Sequence, residues 1–248
     1  MLRLKHSHLI FILCFVSNFI ILAADFSQSS VTFLSGSNFE LGNDRRRTEL
    51  TYESLNIFTY GDSFFWLDVT SPFKKIDSDR NTNLYGEWSP RISFAKLFSL
   101  KRDGIIKDFT FSNTFEFGNN NIAQTRAHLH GLGLDFNIPG FRLFSLNFYV
   151  RDNLDQEGST FQSTMVYIYP FKISSLNFLI NAYVDIIYEN EGKGSTKREA
   201  HWHTAQQLHY YILKNLSVGF EYQYWSQKFG IVGAPSESNL KILAQWIF

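Results

Sequence analysis

The sequence predicts an all-β protein, a transmembrane antiparallel β-barrel of twelve strands with both termini on the periplasmic side. Three observations predict it. The chain opens with an export-type leader, its body alternates apolar and polar residues in short segments, and the connections between segments sort by length into two sets.

The leader carries Arg3 and Lys5, then an apolar run from Leu9 to Leu22 broken only by Ser17 and Asn18, then Ala23 and Ala24. A spanning helix needs about 20 apolar residues, so this pattern reads as a secretory signal, residues 1–24, cleaved after Ala24. Residues 25–248 then form the barrel domain. Cys14 follows the bulky Leu13 inside the apolar run, which argues against lipoprotein processing. It is the only cysteine, so the processed chain can form neither a disulfide nor a cysteine metal site.

Composition narrows the class. Lys and Arg number 23 against 23 Asp and Glu, a balance that points to no nucleic-acid partner and no strongly anion-attracting pore. Hydrophobic residues make up 44%, and no second long apolar stretch follows the leader. A membrane is therefore crossed by alternating strands, whose backbone groups are satisfied between neighbours, and not by helices.

Alternation is clearest in three places. Phe109, Phe111, Phe115 and Phe117 interleave with Thr110, Ser112, Thr114 and Glu116; Phe144, Leu146, Phe148 and Val150 with Ser145, Asn147, Tyr149 and Arg151; Val218, Phe220, Tyr222 and Tyr224 with Gly219, Glu221, Gln223 and Trp225. One apolar and one polar face is the strand signature. Twelve such segments are predicted: 31–41, 46–58, 62–71, 84–97, 108–117, 125–138, 141–151, 162–170, 175–188, 199–212, 215–225 and 238–248. In the last, Leu240, Ile242, Ala244, Trp246 and the terminal Phe248 share one face. Even-numbered strands are followed by short turns such as Pro139–Gly140 and Leu213–Asn215. Odd-numbered strands are followed by longer polar segments such as Ser71–Asn83 and Ser226–Glu237. Gly42–Arg45 and Phe98–Lys107 break the rule. Short turns on one rim and long loops on the other are the periplasmic and extracellular ends expected of such a barrel, and an even strand count brings both termini to the short-turn rim.

Several stretches resemble the Tsx-like family of nucleoside-specific channel-forming outer-membrane proteins, which includes OmpK-type porins. They are SGSNFELG at 35–42, LTYES at 50–54, YGDSFFWLDVT at 60–70, YGEWSPRIS at 85–93, GLGLDFNIPGF at 131–141, LNFYVRDN at 146–153, LSVGFEYQYW at 216–225 and the closing LAQWIF. They run in family order along nearly all of the processed chain. The resemblance implies a monomeric barrel in the outer membrane of a Gram-negative bacterium, whose narrow lumen passes nucleosides without energy coupling and without a cofactor. The segments 152–161 and 189–197 match nothing in that pattern, so they name no phage or toxin partner, although loops of this length suffice for phage adsorption.

A nucleoside is uncharged, with a flat base and a hydroxylated sugar. Its path needs aromatic faces for stacking, worth about 1–3 kcal/mol per base, and polar groups for the ribose. The third strand offers both: with Phe65, Leu67 and Val69 toward lipid, its lumen face carries Asp62, Phe64, Trp66, Asp68 and Thr70. A one-residue shift would instead put Phe64 and Trp66 in the lipid-facing girdle. On the fourth strand Tyr85, Glu87, Ser89, Arg91 and Ser93 face inward, with Glu87 and Arg91 either bonding ribose or pairing with opposite charges across the lumen. Pro90, which cannot donate to a ladder, predicts a bulge or bend. Glu53, Asp135, Arg151 and Glu221 are placed inside as well. On the first strand Asn38, Phe39 and Glu40 are further lumen candidates, and Gly36 either lets a solute approach the backbone or kinks the strand.

Other signals are set aside. His201 and His203 share a strand face, with His209 beyond; period-2 imidazoles can chelate a metal, but beside a loop they read as interfacial or solvated, and His128 and His130 likewise. Arg45-Arg46-Arg47 suits lipopolysaccharide phosphates or a solvated turn. An outer-membrane enzyme needs a serine–histidine or Asp–His constellation; the nearest pair, Ser195 with His201 or His203, sits in no recognisable motif. Neither a catalytic nor a metal site is predicted. A general small-solute porin and a surface receptor remain as alternative roles.

Overall fold

The computed structural model describes residues 24–40, 45–72, 83–101, 103–119, 124–155, 157–190, 192 and 197–248. The expected leader lies outside them except for Ala24, as do Ser195 and most of the loop between the third and fourth strands. The strands are β1 (Phe26–Ser37), β2 (Arg46–Phe58), β3 (Gly61–Thr70), β4 (Asn83–Ser93), β5 (Ile106–Asn119), β6 (Gln124–Phe136), β7 (Leu143–Asn153), β8 (Ser159–Ile173), β9 (Leu176–Ile187), β10 (His201–Leu213), β11 (Leu216–Ser226) and β12 (Glu237–Ile247). Each pairs antiparallel with its sequence neighbours, and β1 pairs with β12, closing the barrel. Closure leaves no open sheet edge. The seam is locked at its end, where Ser29 and Phe248 exchange backbone hydrogen bonds of 3.1 and 2.9 Å. The ends of β1 and β12 thus meet on the rim of short turns.

Exposure along the strands is the reverse of that in a water-soluble barrel. On β12, Leu240, Ile242 and Trp246 are 60%, 59% and 47% exposed, whereas Lys241 and Gln245 between them are 2% and 6%. Asn239, Ser112 and Ser217 are fully buried, while Phe111, Phe148 and Phe220 face out. Large apolar residues outside and polar residues inside fit a wall bathed in lipid.

The outer wall also carries a belt of rings near the short-turn rim. Phe141 packs edge-on against Phe144 at 5.5 Å, and Tyr169, Phe171, Phe178 and Tyr210 follow one another at 5.3–6.0 Å across β8, β9 and β10. Such girdles mark the level of the membrane interface. On β4 the outward Trp88 stacks on Phe115, which stacks on His128, and the Trp88 indole donates to Ser63 Oγ at 2.8 Å.

Three local expectations are corrected. The first strand ends at Ser37, because Asn38 takes a left-handed conformation (φ 70°) that turns the chain out of the sheet. Residues 94–97, expected as strand, form a short helix, α1 (Phe94–Leu97). Ser93 Oγ caps it by accepting from the Lys96 N–H at 3.0 Å, and Asp108 accepts from the Ala95 N–H at 2.9 Å. Pro90 causes no bulge: pairing of β4 with β5 lapses at Ser89 and Pro90 and resumes at Arg91 in the same register. The ring removes one donor but leaves the strand extended.

Candidate functional site

The inner wall is organised around three cations, each bonded to a strand beyond its immediate neighbour, which is reached only through the lumen. Arg91 on β4 forms a two-pronged pair with Asp62 of β3 (2.8 Å at both Nε and Nη2) and crosses over β5 to Asp135 of β6 at 2.9 Å and Ser145 of β7 at 3.1 Å. Arg151 on β7 crosses β6 to both oxygens of Glu116, at 2.5 and 2.6 Å, and also donates to Gln162 at 2.8 Å. Lys241 on β12 crosses β1 to Glu49 at 2.5 Å and meets Glu221 of β11 at 2.8 Å. Such bonds across a strand fix the facing of every residue between them, since facing alternates with period two.

On this inward wall the sequence candidates of β3 and β4 lie as three cross-strand pairs: Phe64 with Ser89, Trp66 with Glu87, and Asp68 with Tyr85. Trp66 and Tyr85 approach to 5.3 Å between ring centres at 59°. Tyr85 Oη donates to Glu87 at 2.8 Å, and Thr51 on β2 donates to Asp68. All six are half-buried, so they border open space and are not packed into a core. The result is an aromatic shelf edged by two carboxylates.

The remaining candidates take other places. Glu53 accepts from Ser30 at 2.9 Å and from Gln245 at 3.2 Å, across the seam. Asp135 and Arg151 belong to the clamps already described. Glu87 and Arg91 do not pair with each other; each has its own partners. Asn38, Phe39 and Glu40 follow β1 instead of lying on it. Phe39 folds inward to 1% exposure at the long-loop mouth, with the Arg47 guanidinium 4.4 Å above its ring and the Lys228 and Lys241 ammonium groups at 5.9 and 5.7 Å. The Glu40 N–H donates to Glu237 at 2.7 Å, and its side chain reaches Arg45 at 3.4 Å. Lys228, on the connection before β12, pairs with Glu237 within the same mouth; burial holds its ammonium below the ordinary lysine value, against the pull of Glu237. Gly36 opens no approach to solute, since an added Cβ would lie 2.7 Å from Lys241 Cγ. Its missing side chain is what admits the lysine stem.

Two histidines expected at a solvated interface are instead interior. His203 stacks on Trp225 at 3.7 Å and lies 3.3 Å from Tyr183 Oη and 3.2 Å from Gln223. His209, 1% exposed, contacts Ser217 Oγ at 2.9 Å and Gln207 at 3.1 Å. Among the described residues no three His, Cys, Asp or Glu side chains converge to hold a metal ion. Sequence reasoning missed Lys241, Glu49, Tyr183 and Asp185 as lumen residues. Strand parity carries the signal for Lys241, since it lies between the outward Leu240 and Ile242.

The sequence profile of the nucleoside-specific channel-forming protein family, Tsx, matches residues 25–239. The chain belongs to this family. As a member of the Tsx family it is an outer-membrane channel. No curated protein sequence matches it. Solved barrels resemble it in fold: a KdgM porin (8% identity, 89% of this chain and 99% of that chain, TM-score 0.50), a NanC porin (11%, 89% and 99%, 0.51) and an outer-membrane channel from Pseudomonas putida F1 (9%, 91% and 96%, 0.50). At such low identity they show a shared barrel and nothing of the cargo.

Proposed function

We propose that this channel is a passive diffusion pathway with a preference for nucleosides and similar small neutral solutes. The observation that carries the reading is the Trp66–Tyr85 shelf with Asp68 and Glu87 at its edge. A base can stack on the rings while ribose hydroxyls donate to the carboxylates. Stacking on one or two rings contributes about 1–3 kcal/mol per base, strong enough to select and weak enough to release, as a conduit requires. The family description supports the same cargo.

The same proposal places the termini and short turns in the periplasm and the long loops outside, makes residues 1–24 a removed export signal, and has the barrel act as a monomer. Arg45 and Arg46 then lie at the level of lipopolysaccharide phosphates. Liposome swelling tests the cargo: vesicles bearing the protein should admit adenosine or thymidine faster than glucose. Equal rates for the three would leave a general small-solute porin.

A further inference from the structure

The chain as a whole is charge-balanced, but its inner wall is not. Eleven carboxylates face inward from the described strands: Glu49, Glu53, Asp62, Asp68, Glu87, Asp108, Glu116, Asp135, Asp185, Glu221 and Glu237. The inward cations on the same strands are Arg47, Arg91, Arg151, Lys172 and Lys241. Arg91 and Lys241 are each shared by two carboxylates and Arg151 is bonded in two-pronged fashion by one, so these clamps are charge-saturated or acidic in excess. Arg47 is confined to the long-loop mouth beside Phe39 with Lys228 and Glu237, and Lys172 sits exposed at the short-turn mouth.

Among the described residues, four of the carboxylates have only uncharged groups as their hydrogen-bond partners. Glu53 is held by Ser30 and Gln245, Asp68 by Thr51, Glu87 by Tyr85, and Asp185 by Thr164 at 2.5 Å and Gln162 at 3.2 Å. All four are half-buried on an inward face, so water in the conduit reaches them. Spread over β2, β3, β4 and β9, these groups line the wall together. Fixed charge of one sign on a narrow, low-dielectric wall concentrates ions of the other sign.

We infer that the conduit is cation-selective: it passes hydrated monovalent cations and small solutes bearing an ammonium group in preference to chloride and other anions, with Asp68, Glu87 and Asp185 setting the selectivity. The inference rests on the channel reading of the fold but not on the nucleoside preference, and the two fail separately.

The zero-current potential of the full-length processed chain in a planar bilayer, across a KCl gradient at pH 9, where the lumen carboxylates are ionised, reads it directly. Fields of this kind raise local counter-ion concentration by about tenfold or more, so we expect a potassium-to-chloride permeability ratio of about five or higher. The combined variant Asp68→Asn, Glu87→Gln and Asp185→Asn should lower that ratio at least about twofold; if it fails to insert, the three single variants are read in the same way. A wild-type ratio near or below one overturns the inference. So does a high ratio that all the variants leave unchanged. Loss of nucleoside preference with cation selectivity retained would sink only the proposed cargo.

Discussion

Arg91 and Asp135 meet at 2.9 Å although the whole of β5 separates their strands. The bond is a chord through the lumen, and with Asp62 it makes a three-residue clamp close to the short-turn rim. Paired charges in a partly desolvated setting cost several kcal/mol to orphan. Arg91→Ala leaves two carboxylates facing each other and should destabilise the barrel by about 3–5 kcal/mol. Arg91→Lys should recover only part, because a point charge cannot reproduce the fork that bonds Asp62 twice. The temperature at which the folded, fast-migrating band is lost on heating before electrophoresis measures both.

Trp66→Ala removes the larger ring of the shelf on a half-buried wall, where the fold loses little. Nucleoside block should weaken roughly 5- to 150-fold, the equivalent of about 1–3 kcal/mol of stacking, while the barrel still inserts. Phe64→Ala, one position along the same face, should act more weakly. Block titrations on both variants, beside a folding assay, separate contact from structure; unchanged block in both would remove the shelf from the path.

Much of this was legible in the residues, and the reason is period two. Leu240, Ile242 and Trp246 outward force Lys241 and Gln245 inward, and Phe65 outward sends Phe64 and Trp66 to the lumen. Turn residues such as Pro139 and Gly140 marked strand ends to within a few positions. What parity cannot supply is the partner across the lumen. Which cation meets Asp135 depends on the stagger of strands around a closed sheet, so Arg91 was assignable to the interior but not to its clamp. The place of Phe39 beyond the strand is not legible, because Asn38 looks like any polar residue of an alternating strand until its backbone turns left-handed. The interior place of His203 and His209 is not legible, because nothing local shows that Trp225 and Ser217 wait on the neighbouring strand.

Gly133 faces inward where Thr110, Ser112 and Asn147 converge. A Cβ there would lie 2.3 Å from Thr110 Oγ1 and 2.4 Å from Asn147 Oδ1, both nearly buried. Gly133→Val should therefore cost about 1–3 kcal/mol or more through overpacking, lowering refolding yield. Gly104→Ala, where a Cβ meets nothing within 4 Å, is the matched control and should fold normally.

Asp155, in the connection after β7, accepts from Arg126 Nε at 2.9 Å, and that hydrogen bond holds its carboxyl below the usual range. A depressed carboxylate stabilises the fold above its unfolded value of about 3.9 and loses that contribution as pH falls through the lower folded value. The pair is solvent-exposed, so the effect is small. Any difference in heat stability between the wild type and Asp155→Asn should be present at pH 7 and shrink as pH falls below about 4; a difference of equal size at pH 7 and pH 2 would show that charge is not its source.

Single-channel current through the refolded chain, titrated with adenosine, thymidine and glucose, tests the proposed recognition of nucleosides by the lumen. Saturable block by both nucleosides and none by glucose is the predicted result. Steady conductance indifferent to all three would contradict it.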